Sequence, residues 1–279
     1  MSSRAAGFHH QGIEFWYAEK GVGDPGDQRR LALVFLHGLG GDRRQPMELY
    51  KHRKGIHLIA MDCRGHGKTQ PLGDPDLLRF DTYADDVEAL LDHLDIGAFV
   101  AGGISMGAGV ALNLALRYPQ RVEGLLLVRP AWLAQPYPPN LDCMVAVGQW
   151  IRDHGVVHGR EGFLASPLYL RLQQEAPYTA SSLLAQFDEP RAADAWPRLL
   201  QLPADAPNGD PADWRSVSVP TLILANYSDL THPYEYAERL AGAIPGANLV
   251  EVPSKAVDQP AHIAAARTHI DRFLQSLIG

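Results

Sequence analysis

Cysteine is scarce in this chain of 279 residues, with Cys63 and Cys143 the whole supply. One disulfide is the most they can form, and neither has a neighbour at metal-ligand spacing, so a disulfide-stapled fold and a zinc knuckle are both excluded. Also missing is any run of about 18 apolar residues that would span a bilayer. The opening segment MSSRAAGFHHQG lacks the apolar centre of a secretory signal. These absences lead to the expectation of a soluble, cytoplasmic protein with reduced thiols and no membrane partner. Positive charge is short as well: the formal net charge is −7, which argues against a grip on nucleic-acid phosphates. The one basic cluster, RKGIH at 53–57 with Arg43, Arg44 and Lys51 nearby, is interleaved with acids and apolar residues and reads as a solvated helix face. Internal repeats and low-complexity blocks are absent.

What is present is a core. Hydrophobic residues make up 46% of the chain, enough for one globular domain with an inserted lobe. Short runs rich in Val, Ile, Leu and Phe predict strands at 31–36, 56–61, 99–104, 122–128, 221–225 and 249–252. Amphipathic segments predict helices at 83–94, 108–118, 234–243 and 261–277. That alternation implies a mostly parallel sheet with flanking helices, an α/β class. Residues 13–20 alternate like an antiparallel edge strand, with a Gly-Asp-Pro-Gly turn following at 23–26. From 133 to 217 the pattern turns proline-rich and helical without a strand, and so long a structureless loop is improbable. This interval is expected to be a helical cap over the sheet, leaving 1–132 and 218–279 as the core.

Gly103-Ile104-Ser105-Met106-Gly107 falls where a predicted strand hands over to a predicted helix. A sharp turn there lifts the serine hydroxyl clear of the sheet, and glycine on either side leaves room for it. The same spacing also suits a serine that merely caps the helix. Upstream, His37-Gly38-Leu39-Gly40-Gly41 ends another strand in a loop able to aim a backbone N–H. The N–H groups of Leu39 and Met106 form a candidate two-donor oxyanion hole. Gly67-Lys68-Thr69 imitates the end of a phosphate-binding loop, but Asp62 stands where that motif needs its first glycine and no helix can open in the following QPLGDP. No nucleotide cofactor or metal is expected.

The succession of His37-Gly38, Asp62-Cys63-Arg64-Gly65-His66-Gly67, Gly103-Ile104-Ser105-Met106-Gly107 and a late strand followed by NYSDLTHP resembles the α/β-hydrolase fold superfamily, in its capped serine-hydrolase branch. The resemblance covers the chain from about residue 13 onward and implies a helical cap between strands six and seven. It also implies an orienting acid after the seventh strand, where Asp229 stands, and makes Ser105 the nucleophile. The family's histidine follows the last strand, but this chain reads Val252-Pro253-Ser254-Lys255-Ala256-Val257 there. The first histidine downstream is His262, which becomes the expected base, while His232 reads as a loop histidine. Lys255 is an alternative base, provided burial lowers its pKa. Arg129 and Trp132, at the end of a strand that opens beneath the cap, and His37 are expected to contact substrate. A carboxylate on that substrate would suit Arg129; the competing partner for this arginine is a cap carboxylate such as Asp142 or Glu189. Cap aromatics at Trp150, Phe163, Tyr169, Tyr178, Phe187 and Trp196 line an apolar cavity or form the lobe's own core.

The leading expectation is therefore a serine-dependent hydrolase of a small organic ester, lactone, thioester or cleavable carbon–carbon bond, using Ser105, His262 and Asp229. A displaced histidine keeps open a non-hydrolytic enzyme of the same fold, such as a lyase or cyclase. A non-catalytic small-molecule binder is the third reading.

Overall fold

Successive residues of the run Leu31–Leu36 enter two different cores. Leu33 and Phe35 belong to one, Val34 and Leu36 to the other. A strand covered on both faces has no polar side to alternate with, which is why it reads as unbroken hydrophobic sequence. In a computed structural model, which describes residues 4–21 and 31–278, eight strands form one sheet. They are β1 (Arg4–His10), β2 (Ile13–Lys20), β3 (Leu31–Leu36), β4 (Ile56–Met61), β5 (Phe99–Ile104), β6 (Val122–Val128), β7 (Thr221–Ala225) and β8 (Asn248–Glu251). Their spatial order is β1-β2-β4-β3-β5-β6-β7-β8. β1 and β2 pair antiparallel, as do β2 and β4, and the remaining pairs are parallel.

Among the described residues ten α-helices accompany them: α1 (Arg44–Leu49), α2 (Phe80–His93), α3 (Met106–Arg117), α4 (Asp142–Ala165), α5 (Pro167–Glu175), α6 (Pro177–Asp188), α7 (Ala192–Ala195), α8 (Arg198–Gln201), α9 (Tyr234–Ala243) and α10 (Gln259–Ile278). α2, α3 and α9 bury their apolar stripes on one face of the sheet. α1 and α10 cover the other. The C-terminal ends of β3, β5, β6 and β7 therefore share one edge, where open α/β sheets bind their ligands.

Between β6 and β7 lie α4 to α8 and no strand. These helices have a small core of their own around Val147, Phe163, Leu172, Leu183 and Phe187. Proline opens two of them at the first helical position, where its missing N–H costs nothing: Pro167, with the Ser166 hydroxyl accepting from Tyr169 N at 3.2 Å, and Pro177.

Several expectations need correction. Residues 13–20 form β2 but not an edge strand, because β1 pairs outside it; RAAGFHH has no alternating apolar face to announce β1, and its register against β2 supplies the hydrogen bonds. RKGIH is not on a helix: it crosses a turn into β4. Its Arg53 pairs with Asp271 of α10, Arg43 with buried Asp62 and Arg44 with Asp42, so the cluster is tied down by carboxylates. Cys63 and Cys143 are both free thiols. The Gly-Asp-Pro-Gly turn lies outside the described residues. Among the described residues no helix is long and apolar enough to cross a membrane.

Candidate active site

Ser105 joins β5 to α3 with φ 55° and ψ −110°, a left-handed conformation that costs an L-residue strain and occurs mostly at functional sites. The flanking glycines are obligatory. A Cβ on Gly103 would meet the carbonyl carbon of Gly107 at 1.9 Å, and one on Gly107 would meet the Leu36 oxygen at 2.6 Å. The serine does not cap α3, since its side chain makes no cap hydrogen bond. Its hydroxyl donates to Nε2 of His232 at 2.9 Å instead.

His232 is the residue that sequence reasoning missed. It sits in the loop between β7 and α9, three residues after Asp229, and its Nδ1–H donates to Asp229 Oδ1 at 2.9 Å. A local turn makes this geometry. Asp229 Oδ1 accepts from Thr231 N at 3.2 Å and from the Thr231 hydroxyl at 3.0 Å, folding the chain so that the next side chain returns over the carboxylate. The spacing Asp-x-x-His directly after a strand was the available signal. The other carboxylate oxygen, Oδ2, accepts from Arg129 NH1 at 3.0 Å.

Electrostatics keep the roles distinct. Burial works to raise the Asp229 carboxyl, but the His232 ring, Arg129 and Thr231 outweigh it and hold the group well below the usual carboxylate range. His232 is lowered, by burial first, while Asp229 pulls the other way and Arg129 and Lys255 add to the lowering. At neutral pH the site thus holds a carboxylate, a neutral imidazole and a serine hydroxyl in one hydrogen-bonded line. Such a line can move a proton from the hydroxyl to the ring when the oxygen attacks a carbonyl.

The candidate donors Leu39 and Met106 flank Ser105, the first in the glycine turn after β3 and the second at the start of α3. The Gly38–Gly41 turn is held by Gly41 N to Gly38 O at 2.9 Å and by Gly38 N to Gln45 Oε1 at 2.7 Å. It runs so close to the elbow that a Cβ on Gly38 would lie 3.3 Å from Ser105 Cβ. Among the described residues neither Leu39 N–H nor Met106 N–H donates to a protein acceptor. Leu39 and Ser105 line a cavity of about 110 Å³, together with His232, Arg129, Trp132 and Lys255. That volume falls below the roughly 300–1,000 Å³ of pockets for drug-sized ligands and admits only a compact group.

The remaining expected residues divide. Trp132 is on the cavity wall, with its indole N–H donated to Leu202 O at 3.2 Å. Arg129 is there too, but its partner is Asp229, and neither Asp142 nor Glu189 pairs with it. His37 is not available to substrate: it is wholly buried, its Nδ1–H donates to Gly38 O at 2.8 Å and its Nε2 accepts from Cys63 N at 3.0 Å. Burial lowers its pKa, so it is a neutral strut under the glycine turn. His262 does not reach Ser105. Its ring is buried at the start of α10, Nδ1–H donates to Pro253 O at 2.9 Å, and it borders a separate small cavity behind Arg129. α10 carries it against the root of the β8 loop. Of the lobe aromatics only Tyr178 faces the cavity; Phe163, Tyr169 and Phe187 form the lobe's core, with Trp150 and Trp196 packed on it.

Known proteins share this architecture. A family profile described as the alpha/beta hydrolase fold matches residues 32–150, and another described as a TAP-like protein matches residues 187–277. Over 114 residues the chain is 40% identical to the dihydrolipoyllysine-residue acetyltransferase component of the acetoin cleaving system of Pseudomonas putida, covering 39% of this chain and 30% of that protein. Over 99 residues it is 39% identical to the sn-1-specific diacylglycerol lipase of Danio rerio, covering 34% of this chain and 30% of the lipase. The matches thus span about 30% of the length of these relatives. A thermophilic esterase from Thermogutta terrifontis superposes with a TM-score of 0.73 at 24% identity, over 98% of this chain and 99% of the esterase, a likeness of fold.

Proposed function

The chain belongs to the α/β-hydrolase fold superfamily, and from that premise we propose that it is a serine hydrolase of small organic esters, lactones or thioesters, with Ser105 as nucleophile, His232 as base and Asp229 as orienting acid. The observation that carries this reading is the pair of 2.9 Å hydrogen bonds linking Ser105 Oγ to His232 Nε2 and His232 Nδ1 to Asp229 Oδ1. As Ser105 Oγ attacks the carbonyl carbon, its proton passes to Nε2, and the negative carbonyl oxygen is received by the N–H groups of Leu39 and Met106. Collapse expels the alcohol or thiol, which takes the proton from Nε2. Water then attacks the acyl-serine, giving one proton to His232. That proton returns to Ser105 as the acid leaves.

The non-hydrolytic reading rested on a vacant histidine position, and it loses that support with His232 on the serine. Fluorophosphonate labelling tests the assignment. Wild type and His262→Gln are expected to label at Ser105, whereas Ser105→Ala abolishes labelling and His232→Ala slows it by about 10³-fold or more. Circular dichroism checks that each variant is folded. Rapid labelling of His232→Ala, with loss confined to His262→Gln, would return the role of base to His262.

A further inference from the structure

Where the family's histidine would stand, the loop after β8 presents Lys255 to the cavity of Ser105 and His232. The loop's root is fixed by Val252 N donating to Ala225 O at 2.9 Å. Its turn is fixed by Val257 N and Asp258 N, both donating to Ser254 O, at 3.1 and 2.9 Å. The ammonium is therefore aimed by a braced segment. It lies 5.8 Å from the centre of the Tyr178 ring, which α6 contributes to the facing wall.

The charges around this cavity do not cancel. Arg129 is matched by Asp229, and His232 is neutral at pH 7. Lys255 is half-buried, and among the described residues it makes no ion pair. Arg129, although its charge is matched, also keeps its Nε buried without a hydrogen-bond partner. A chain with a net charge of −7 thus turns a net cation toward its serine. Withdrawing an ammonium from water without a counter-ion is unfavourable, and an arriving anion removes that penalty.

We propose that Lys255 is the specificity-determining anchor for a carboxylate on the substrate, so that the enzyme selects small anionic esters or lactones over neutral ones of the same size. Thr179 and Ser182, on the same wall as Tyr178, also line that space. The cavity of about 110 Å³ keeps the carboxylate within a few bonds of the scissile carbonyl. Arg129, held by Asp229, supports the field without being the anchor. This inference rests on the serine-hydrolase reading.

The test compares 4-nitrophenyl hemisuccinate with 4-nitrophenyl butyrate, which match in length and differ in charge. Wild type is expected to favour the hemisuccinate in kcat/KM by at least about tenfold, mostly through KM, as one hydrogen bond to a charged group warrants. Lys255→Met removes that preference and Lys255→Arg keeps most of it. Equal kcat/KM for the two esters in wild type, or a preference that survives in Lys255→Met, overturns the proposal. Calorimetric titration of Ser105→Ala with monomethyl succinate gives a reading independent of turnover: binding lost on adding Lys255→Met supports the anchor, and binding unchanged refutes it. Failure of the fluorophosphonate to label wild type would instead defeat the hydrolase reading and leave the titration to decide on Lys255.

Discussion

Arg129 leaves β6 with φ 47°, a conformation that glycine or asparagine adopts with less strain. Its N–H donates to Leu224 O at 2.7 Å, and the side chain turns under the β7 loop to hold Asp229 Oδ2. With that oxygen occupied, Oδ1 is left to face His232 and Thr231. In the proposed triad Arg129 is thus a positioning residue, and it also bears on the pH range of the proposed base, His232. The imidazole must be neutral to accept the serine proton, and burial, Arg129 and Lys255 lower its pKa while Asp229 opposes them. The acid limb of kcat/KM is therefore expected below pH 6.5, the ordinary value for histidine. Arg129→Met removes one lowering charge, so the limb moves to higher pH, and the plateau falls by about tenfold or more as Asp229 loses its brace. Arg129→Lys restores the position of the limb better than the height of the plateau. A purely structural arginine would change the plateau and leave the limb in place. At this scale chain order points to Ser105 and Asp229, and the structure brings both into one hydrogen-bonded line through His232. His232 was hidden by the same ordering rule, which directed attention past β8 to His262. The Asp229–Thr231 turn that brings the ring back is a local device, legible only as a spacing of three.

Element boundaries show where tertiary contacts override local pattern. β2, β3, β4, β5, β6 and β7 lie at the residues their apolar runs predict, since burial on the sheet is a property each run carries itself. α2 starts at Phe80, three residues before its apolar periodicity becomes visible. The reason is remote: Phe80 N donates to the carboxylate of Asp205 at 2.8 Å, so a residue from the segment leading to β7 caps the helix. α2 is also bound to the loop after β4 by a buried ion pair, Arg64 to Asp86, with NH2 to Oδ1 at 2.7 Å and Nε to Oδ2 at 3.0 Å. Both side chains are 1% exposed. The guanidinium also donates to Gln11 Oε1 at 3.1 Å and lies 5.6 Å from the centre of the Phe15 ring, so one arginine joins the β1–β2 hairpin, the loop and the helix. Removing one partner leaves the other charge buried and alone. Asp86→Ala is expected to lower unfolding free energy in urea by about 3–5 kcal/mol. Arg64→Met combined with Asp86→Leu should recover most of that loss, because two apolar side chains need no counter-charge. A double variant as unstable as the single one would mean that the pair specifies the packing of α2 through contacts beyond its own charges.

For the molecule as a whole, the decisive relation is between the sheet edge and the helical lobe from α4 to α8, which we propose acts as the cap of the site. The lobe meets the core through several polar and close contacts. Arg191 donates to Thr69 O, and Arg198 NH1 donates to Gly65 O at 3.1 Å as well as to Ala195 O in its own lobe at 3.1 Å. Gln186 packs so tightly on the Gly38–Gly41 turn that a Cβ on Gly40 would fall 1.9 Å from its Oε1. Arg198 is the informative member. Burial pulls its guanidinium down to about 10, so it is still charged at neutral pH, and its Nε has no partner. The energy of such a residue is a near balance between charge-assisted hydrogen bonds of about 1.5–3 kcal/mol each and a desolvation cost of several kcal/mol. Arg198→Met is therefore expected to change unfolding free energy by less than about 1 kcal/mol, while removing the bond that aligns α8 with the Gly65 loop. The loss should appear in function and mobility: KM for a small ester rises several-fold with kcat less affected, and limited proteolysis within 203–216, where the lobe rejoins the core, becomes faster. If the variant instead unfolds several kcal/mol more easily while KM and the proteolytic pattern stay as in wild type, Arg198 contributes to folding alone. The lobe would then owe its placement to the apolar contacts of Trp132, Leu141 and Leu202, which belong to the same core as the sheet.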